Sequence, residues 1–209
     1  HMLKTAIYHP GPAALRYPRG SGLGVPLDAE MQTLEIGKGE VLKEGNDIAI
    51  FAYGHMVKSA EDVAEQLEKE GVSVAVINAR FVKPIDKELV HRFAKSTKRL
   101  VTLEEHSEQG GFGSAVLEAL HEDPALADVK VKCIGVADEV IEHGAPALLR
   151  KDLKLDIDSL FESITSFFDL ALGASNKDDN GARSSGNGKK KTAGDDKERE
   201  LKVKQPVNG

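Results

Sequence analysis

The chain has 209 residues, 28 Lys/Arg against 34 Asp/Glu, 40% hydrophobic residues and one cysteine, a make-up that suits one α/β domain plus extra segments and excludes a disulfide framework. No apolar run approaches the roughly 18 to 20 residues a membrane-crossing helix needs, so no contact with a membrane is expected. The net charge of −6 is unevenly spread: positions 174–209 hold nine basic and six acidic residues, leaving 19 and 28 for the rest, so a basic tail follows an acidic body.

In chain order, His1 and Met2 read as a cloning scar, and residues 3–30 match no complete domain. There AALRYPRG reads as a short strand-like piece and SGLGVPLDAE as a linker, the end of a preceding domain. LEIGKGEVLKEG reads as two short strand pieces around Gly37 and Gly39, able to pair antiparallel at a sheet edge. From Asn46 to Leu172, short β-branched runs alternate with helical periodicity, which predicts parallel strands joined by crossover helices. The strands are predicted at 47–53, 72–78, 99–104 and 129–134, the last holding Cys133 as a small core residue.

Val57, Ala60, Val63, Ala64 and Leu67 recur at helical spacing after the first of these strands, and Gly71 supplies a left-handed stop. A second helix is predicted from the N-cap Asp86, a third near Ser114 and a fourth from Asp156, with Leu160, Ile164 and Phe168 in its apolar stripe. The fold class is therefore a three-layer α/β/α sandwich with a mostly parallel five-stranded sheet and one antiparallel edge strand. The tail, residues 173–209, has only six hydrophobic residues from position 174 onward, too few to offset its ordering entropy, and is expected to be disordered. Its KKK run lacks interleaved aromatics for base stacking, so no nucleic acid is expected as a partner.

Ligands of open parallel sheets gather beyond the carboxyl ends of the strands. The residues expected there are Gly54 and His55, Arg80, Glu105 and His106, and Asp138. Arg80 follows an apolar strand and precedes Lys83 and a helix start, and with Arg16 and Arg19 it can form a cationic patch suited to a phosphorylated small molecule. Ordinary surface ion pairs are the competing role for the same arginines. QGGFGS lacks the Lys-Ser/Thr ending of a P-loop, which favours close strand-to-helix packing. Glu104 and Glu105 are consecutive and would face opposite sides of a strand. The seven histidines show no metal-ligand spacing, and His106 and His143 are loop histidines without an assigned role.

GPAALRYPRGSGLG, LEIGKGEVLKEG, AIFAYGHMVKSAEDVAEQL, INARFVKPID, LVTLEEHSEQGGFGSAVLEAL and IGVADEVIEHG, in this order, resemble the C-terminal third of the 1-deoxy-D-xylulose-5-phosphate synthase family. The resemblance covers roughly residues 3 to 165. It implies a transketolase C-terminal-type domain at 31–172, preceded by the end of a pyrimidine-binding domain at 3–30. It further implies thiamine diphosphate and Mg²⁺ as cofactors, pyruvate and glyceraldehyde 3-phosphate as substrates, and a homodimer in the bacterial cytoplasm or a plastid. Arg16 and Arg80 fall on the arginines that reach the substrate phosphate in that family, and Arg19 is a third member for which holding the interdomain turn is the competing role. The family's GDG…N motif, catalytic histidines and activating glutamate belong upstream, and no GDG occurs here. The chain is thus expected to hold no catalytic residue and no cofactor or metal ligand, and to be inactive alone. Two rivals are the β subunit of a 2-oxo acid dehydrogenase or a transketolase, which share this domain type, and a stand-alone binding or dimerisation module.

Overall fold

The computed structural model describes residues 1–17, 22 and 24–173. Five short segments pair into one sheet: β1 (Glu40–Lys43), β2 (Ile48–Ala52), β3 (Val74–Asn78), β4 (Arg99–Ser107) and β5 (Lys130–Val136), in the order β1-β3-β2-β4-β5. β2, β3, β4 and β5 run parallel, while β1 lies antiparallel to β3 at the edge, with Glu40 opposite Asn78. The expected sandwich with its one antiparallel edge strand is therefore the observed architecture.

Every side chain of β2 is buried, as a central strand covered on both faces requires. Alternation divides the strands between two cores. Ile48, Ile50, Val74, Val76, Val101 and Leu103 meet helices α2 (Met56–Lys69) and α6 (Ile157–Phe168) on one face. Ala49, Phe51, Ala75, Ile77 and Leu100 meet α3 (Lys87–Thr97) and α4 (Phe112–His121) on the other. The predicted stripe Leu160, Ile164 and Phe168 is the buried face of α6, each side chain worth about 1.5–3 kcal/mol of burial. Caps fall where the sequence places them. Asp86 accepts from the amide of Leu89 at 3.1 Å and Asp156 from that of Ser159 at 3.3 Å, and Gly71, with φ +85°, ends α2.

Three local expectations are corrected. LEIGKGEVLKEG contributes one strand rather than two, because Gly37 turns in the left-handed region at φ +79° and breaks the run before Glu40. The third helix starts at Phe112, two residues before Ser114, because its first free amides find a buried acceptor described below. AALRYPRG forms no strand over its described residues 13–17, since no partner strand offers a ladder there. Instead a short helix, α1 (Met2–Tyr8), stands upstream, starting at His1 and Met2. It is tied to the segment ahead of β1 by Thr5, whose hydroxyl accepts from the amide of Leu34 at 2.8 Å. A last short helix, α5 (Pro146–Asp152), precedes α6. No helix among the described residues is long and apolar enough to cross a membrane. The expected disordered tail lies outside the described residues, apart from Gly173.

Candidate functional site

Because β2, β3 and β4 are parallel, their carboxyl ends meet at one edge of the sheet, and a cleft of about 730 Å³ opens there. Its walls include Arg16, Tyr53, Arg80, Lys83, His106 and Gly111. Arg16 and Arg80, far apart along the chain, thus come together on one surface, whereas Arg19 lies outside the described residues. The exposed Arg16 uses Nη2 to donate to the Glu105 carbonyl at a long 3.4 Å, and among the described residues most of its guanidinium donors have no other partner. Arg80 is 27% exposed and donates from Nη2 to Glu40 at 2.6 Å, so it is ion-paired and open to the cleft at once.

Tyr53 follows β2 and packs edge-on against Phe112, ring centroids 5.6 Å apart. Burial pushes its hydroxyl up from the ordinary range, the negative charge of Glu104 adds to this, and Arg16 opposes it, so Tyr53 remains a neutral donor near pH 7. The other expected rim residues separate. Glu105 and His106 lie inside β4, which runs three residues beyond the predicted end; His106 joins the cleft, but the Glu105 carboxylate turns to accept from Arg150 Nε at 2.7 Å. His55 precedes α2 with Nδ1 buried, and Asp138 and His143 are exposed on the segment after β5.

Glu104 has a role that spacing alone did not suggest. It is fully buried, on the opposite side of β4 from Glu105, and its two oxygens accept from the amides of Phe112 and Gly113, both at 2.8 Å. One carboxylate therefore satisfies two of the four free N–H groups at the start of α4. The glycines of QGGFG make room for it: a Cβ on Gly111 would strike the Ser107 carbonyl and the Glu104 carboxylate, and one on Gly113 would sit 2.7 Å from Thr102 Oγ1. Burial raises the Glu104 pKa from the usual carboxylate range against the pull of the two amides. The sequence shows an acid closing an apolar strand just ahead of a glycine cluster, but not which amides that acid meets.

This arrangement also tests the cofactors that the resemblance implies. A diphosphate needs free amides or basic side chains with a metal, yet Glu104 already occupies the glycine-rich helix start. Among the described residues no cluster of three or more His, Cys, Asp or Glu side chains could hold a metal ion. Among the described residues, then, neither that helix start nor a metal cluster is available to thiamine diphosphate with Mg²⁺, and no chemical step is assigned to such a group here. Cys133 is half-buried, and burial pushes its thiol up, which favours the protonated form.

A sandwich of this topology, with an arginine-lined cleft across the carboxyl ends of its parallel strands, defines the class: a mostly parallel α/β domain with an open cleft at its strand ends. The chain belongs to the family of the transketolase C-terminal domain, whose model matches residues 37–160. It is 52% identical over 155 residues to 1-deoxy-D-xylulose-5-phosphate synthase of Heliobacterium modesticaldum, covering 74% of this chain and 24% of that protein. It is 48% identical over 174 residues to 1-deoxy-D-xylulose-5-phosphate synthase 1 of Geobacter sulfurreducens, covering 83% and 27%. Among solved structures, a split-gene transketolase in an inactive β4 tetramer superposes with a TM-score of 0.61 at 37% identity, over 66% of this chain and 45% of that one. The chain spans about a quarter of the length of the curated relatives it matches. Its likeness to the C-terminal region of the synthase, expected from the motifs, is thereby borne out.

Proposed function

We propose that this chain acts as the C-terminal part of a 1-deoxy-D-xylulose-5-phosphate synthase, in which Arg16 and Arg80 bind the phosphate of glyceraldehyde 3-phosphate. The observation that carries this reading is their convergence on one cleft from distant positions, with Arg16 making one long hydrogen bond among the described residues. Two guanidinium groups match a phosphate dianion in charge and in fork geometry. Residues 3–30 would be the end of a pyrimidine-binding domain and 31–172 the transketolase C-terminal-type domain. Thiamine diphosphate, which supplies the carbanion chemistry on pyruvate, would be held with Mg²⁺ by other parts of a homodimeric, cytoplasmic enzyme. The chain by itself would then be inactive, its contribution being to bind and orient the aldehyde. Ion pairing of Arg80 with Glu40 favours, as the second reading, a purely structural role for that arginine.

Titration of the chain with glyceraldehyde 3-phosphate and with inorganic phosphate, followed by amide chemical shifts, separates these readings. A millimolar Kd, about −4 kcal/mol, is expected for a single partly exposed phosphate contact. Shifts should cluster at Arg16, Tyr53 and Arg80 and require clearly higher ligand concentrations in Arg16→Gln and Arg80→Gln. Shifts that are absent, or unchanged in both variants, would refute the phosphate role. Calorimetric heat on adding micromolar thiamine diphosphate would overturn the domain assignment.

A further inference from the structure

The loop that carries Arg80 is gripped along its length by the segment leading into β1. Gly37 packs on Pro84, where a Cβ would come within 2.9 Å of the proline ring. The amide of Gly39 donates to Asp86 Oδ2 at 3.0 Å, while the other oxygen of Asp86 caps α3. Glu40 then reaches the Arg80 guanidinium at 2.6 Å. Arg80 itself sits at φ +56°, a left-handed conformation that costs a non-glycine residue energy, with its amide donating to Asn78 Oδ1 at 3.2 Å. Three contacts in four consecutive residues thus fix one loop, and the last of them falls on the side chain facing the cleft.

We propose that Glu40 is a positioning residue for Arg80: its carboxylate takes up one nitrogen of the guanidinium and so holds the remaining donors at the cleft wall for a phosphate. This rests on the phosphate reading given above. A guanidinium has five N–H donors, and the pair with Glu40 leaves enough of them for a bidentate phosphate contact. Holding a long, rotamer-rich side chain in place before binding reduces the ordering cost that the anion must overcome. The opposite effect, a carboxylate competing with the anion for Arg80, is the outcome against which the idea is set.

The test compares phosphate and glyceraldehyde 3-phosphate affinities of the wild type, Glu40→Gln and Glu40→Ala by amide shifts, in the Arg80 and the Arg80→Gln backgrounds. Gln keeps an acceptor oxygen and Ala does not. Positioning predicts that Glu40→Ala weakens binding about three- to tenfold and that Glu40→Gln stays within about twofold of wild type or binds tighter. It also predicts that neither change matters once Arg80 is replaced, the pattern of a coupled pair. Tighter or unaltered binding in Glu40→Ala, or equal loss in both variants, overturns the proposal while leaving the phosphate reading intact. No binding by the wild type overturns both. Unaltered shifts of Gly37 and Gly39 in each variant show that the segment itself remains in place.

Discussion

Replacing Glu104 by Ala puts the buried carboxylate to the test. The change removes the only acceptor that the described residues offer the amides of Phe112 and Gly113, both at 2.8 Å, and leaves two donors inside the protein beside Tyr53 and Phe112. Each orphaned buried donor costs about 1–3 kcal/mol, and the deleted side chain leaves a void; removing a charge that burial disfavours returns part of this. A net loss of about 2–5 kcal/mol follows. Urea unfolding monitored by far-ultraviolet circular dichroism at pH 7 would read it as a lower midpoint at unchanged slope. Hydrogen exchange at Phe112 and Gly113 should accelerate beyond the global change, because the first turn of α4 frays when its cap is lost. A loss below about 1 kcal/mol, or exchange at these two amides that merely follows the whole domain, would refute the view that Glu104 holds the helix start.

The remaining expectations concern the same corner of the molecule. With its folded-state pKa raised, Glu104 binds its proton more tightly in the folded than in the unfolded chain, so its contribution to stability falls as pH rises from the unfolded value through the folded one. The stability of wild type relative to Glu104→Gln should therefore increase as pH is lowered from 7 towards the ordinary glutamate range, and parallel curves for the two proteins would contradict this. Gly113→Ala should cost about 1–3 kcal/mol, since the new methyl meets Thr102 Oγ1 at 2.7 Å and Cys133 Sγ at 2.8 Å between packed layers. An unchanged thermal midpoint would show that the strand and helix yield more easily than the packing implies.

Much of this was legible in the order of the residues. The short apolar runs at Ile48–Ala52 and Val74–Asn78, the helical stripes of α2 and α6, and the caps Asp86 and Asp156 are local devices. They depend on neighbours three or four positions away, so the sequence determines them without knowledge of the rest. The motifs also pointed to the family, and to Arg80 at the end of a strand. Contacts across layers were beyond such reasoning. That Glu104 caps α4, that Glu40 pairs with Arg80, and that the strand-like AALRYPRG finds no ladder all depend on which elements become neighbours. A carboxylate carries no mark of the amide it will meet, because hydrogen bonds and ion pairs act over a few ångströms of space, however many residues intervene. Only the tertiary structure brought Arg16 and Arg80 to one cleft: the parallel crossovers align the strand ends, and the chain ahead of β1 returns across them.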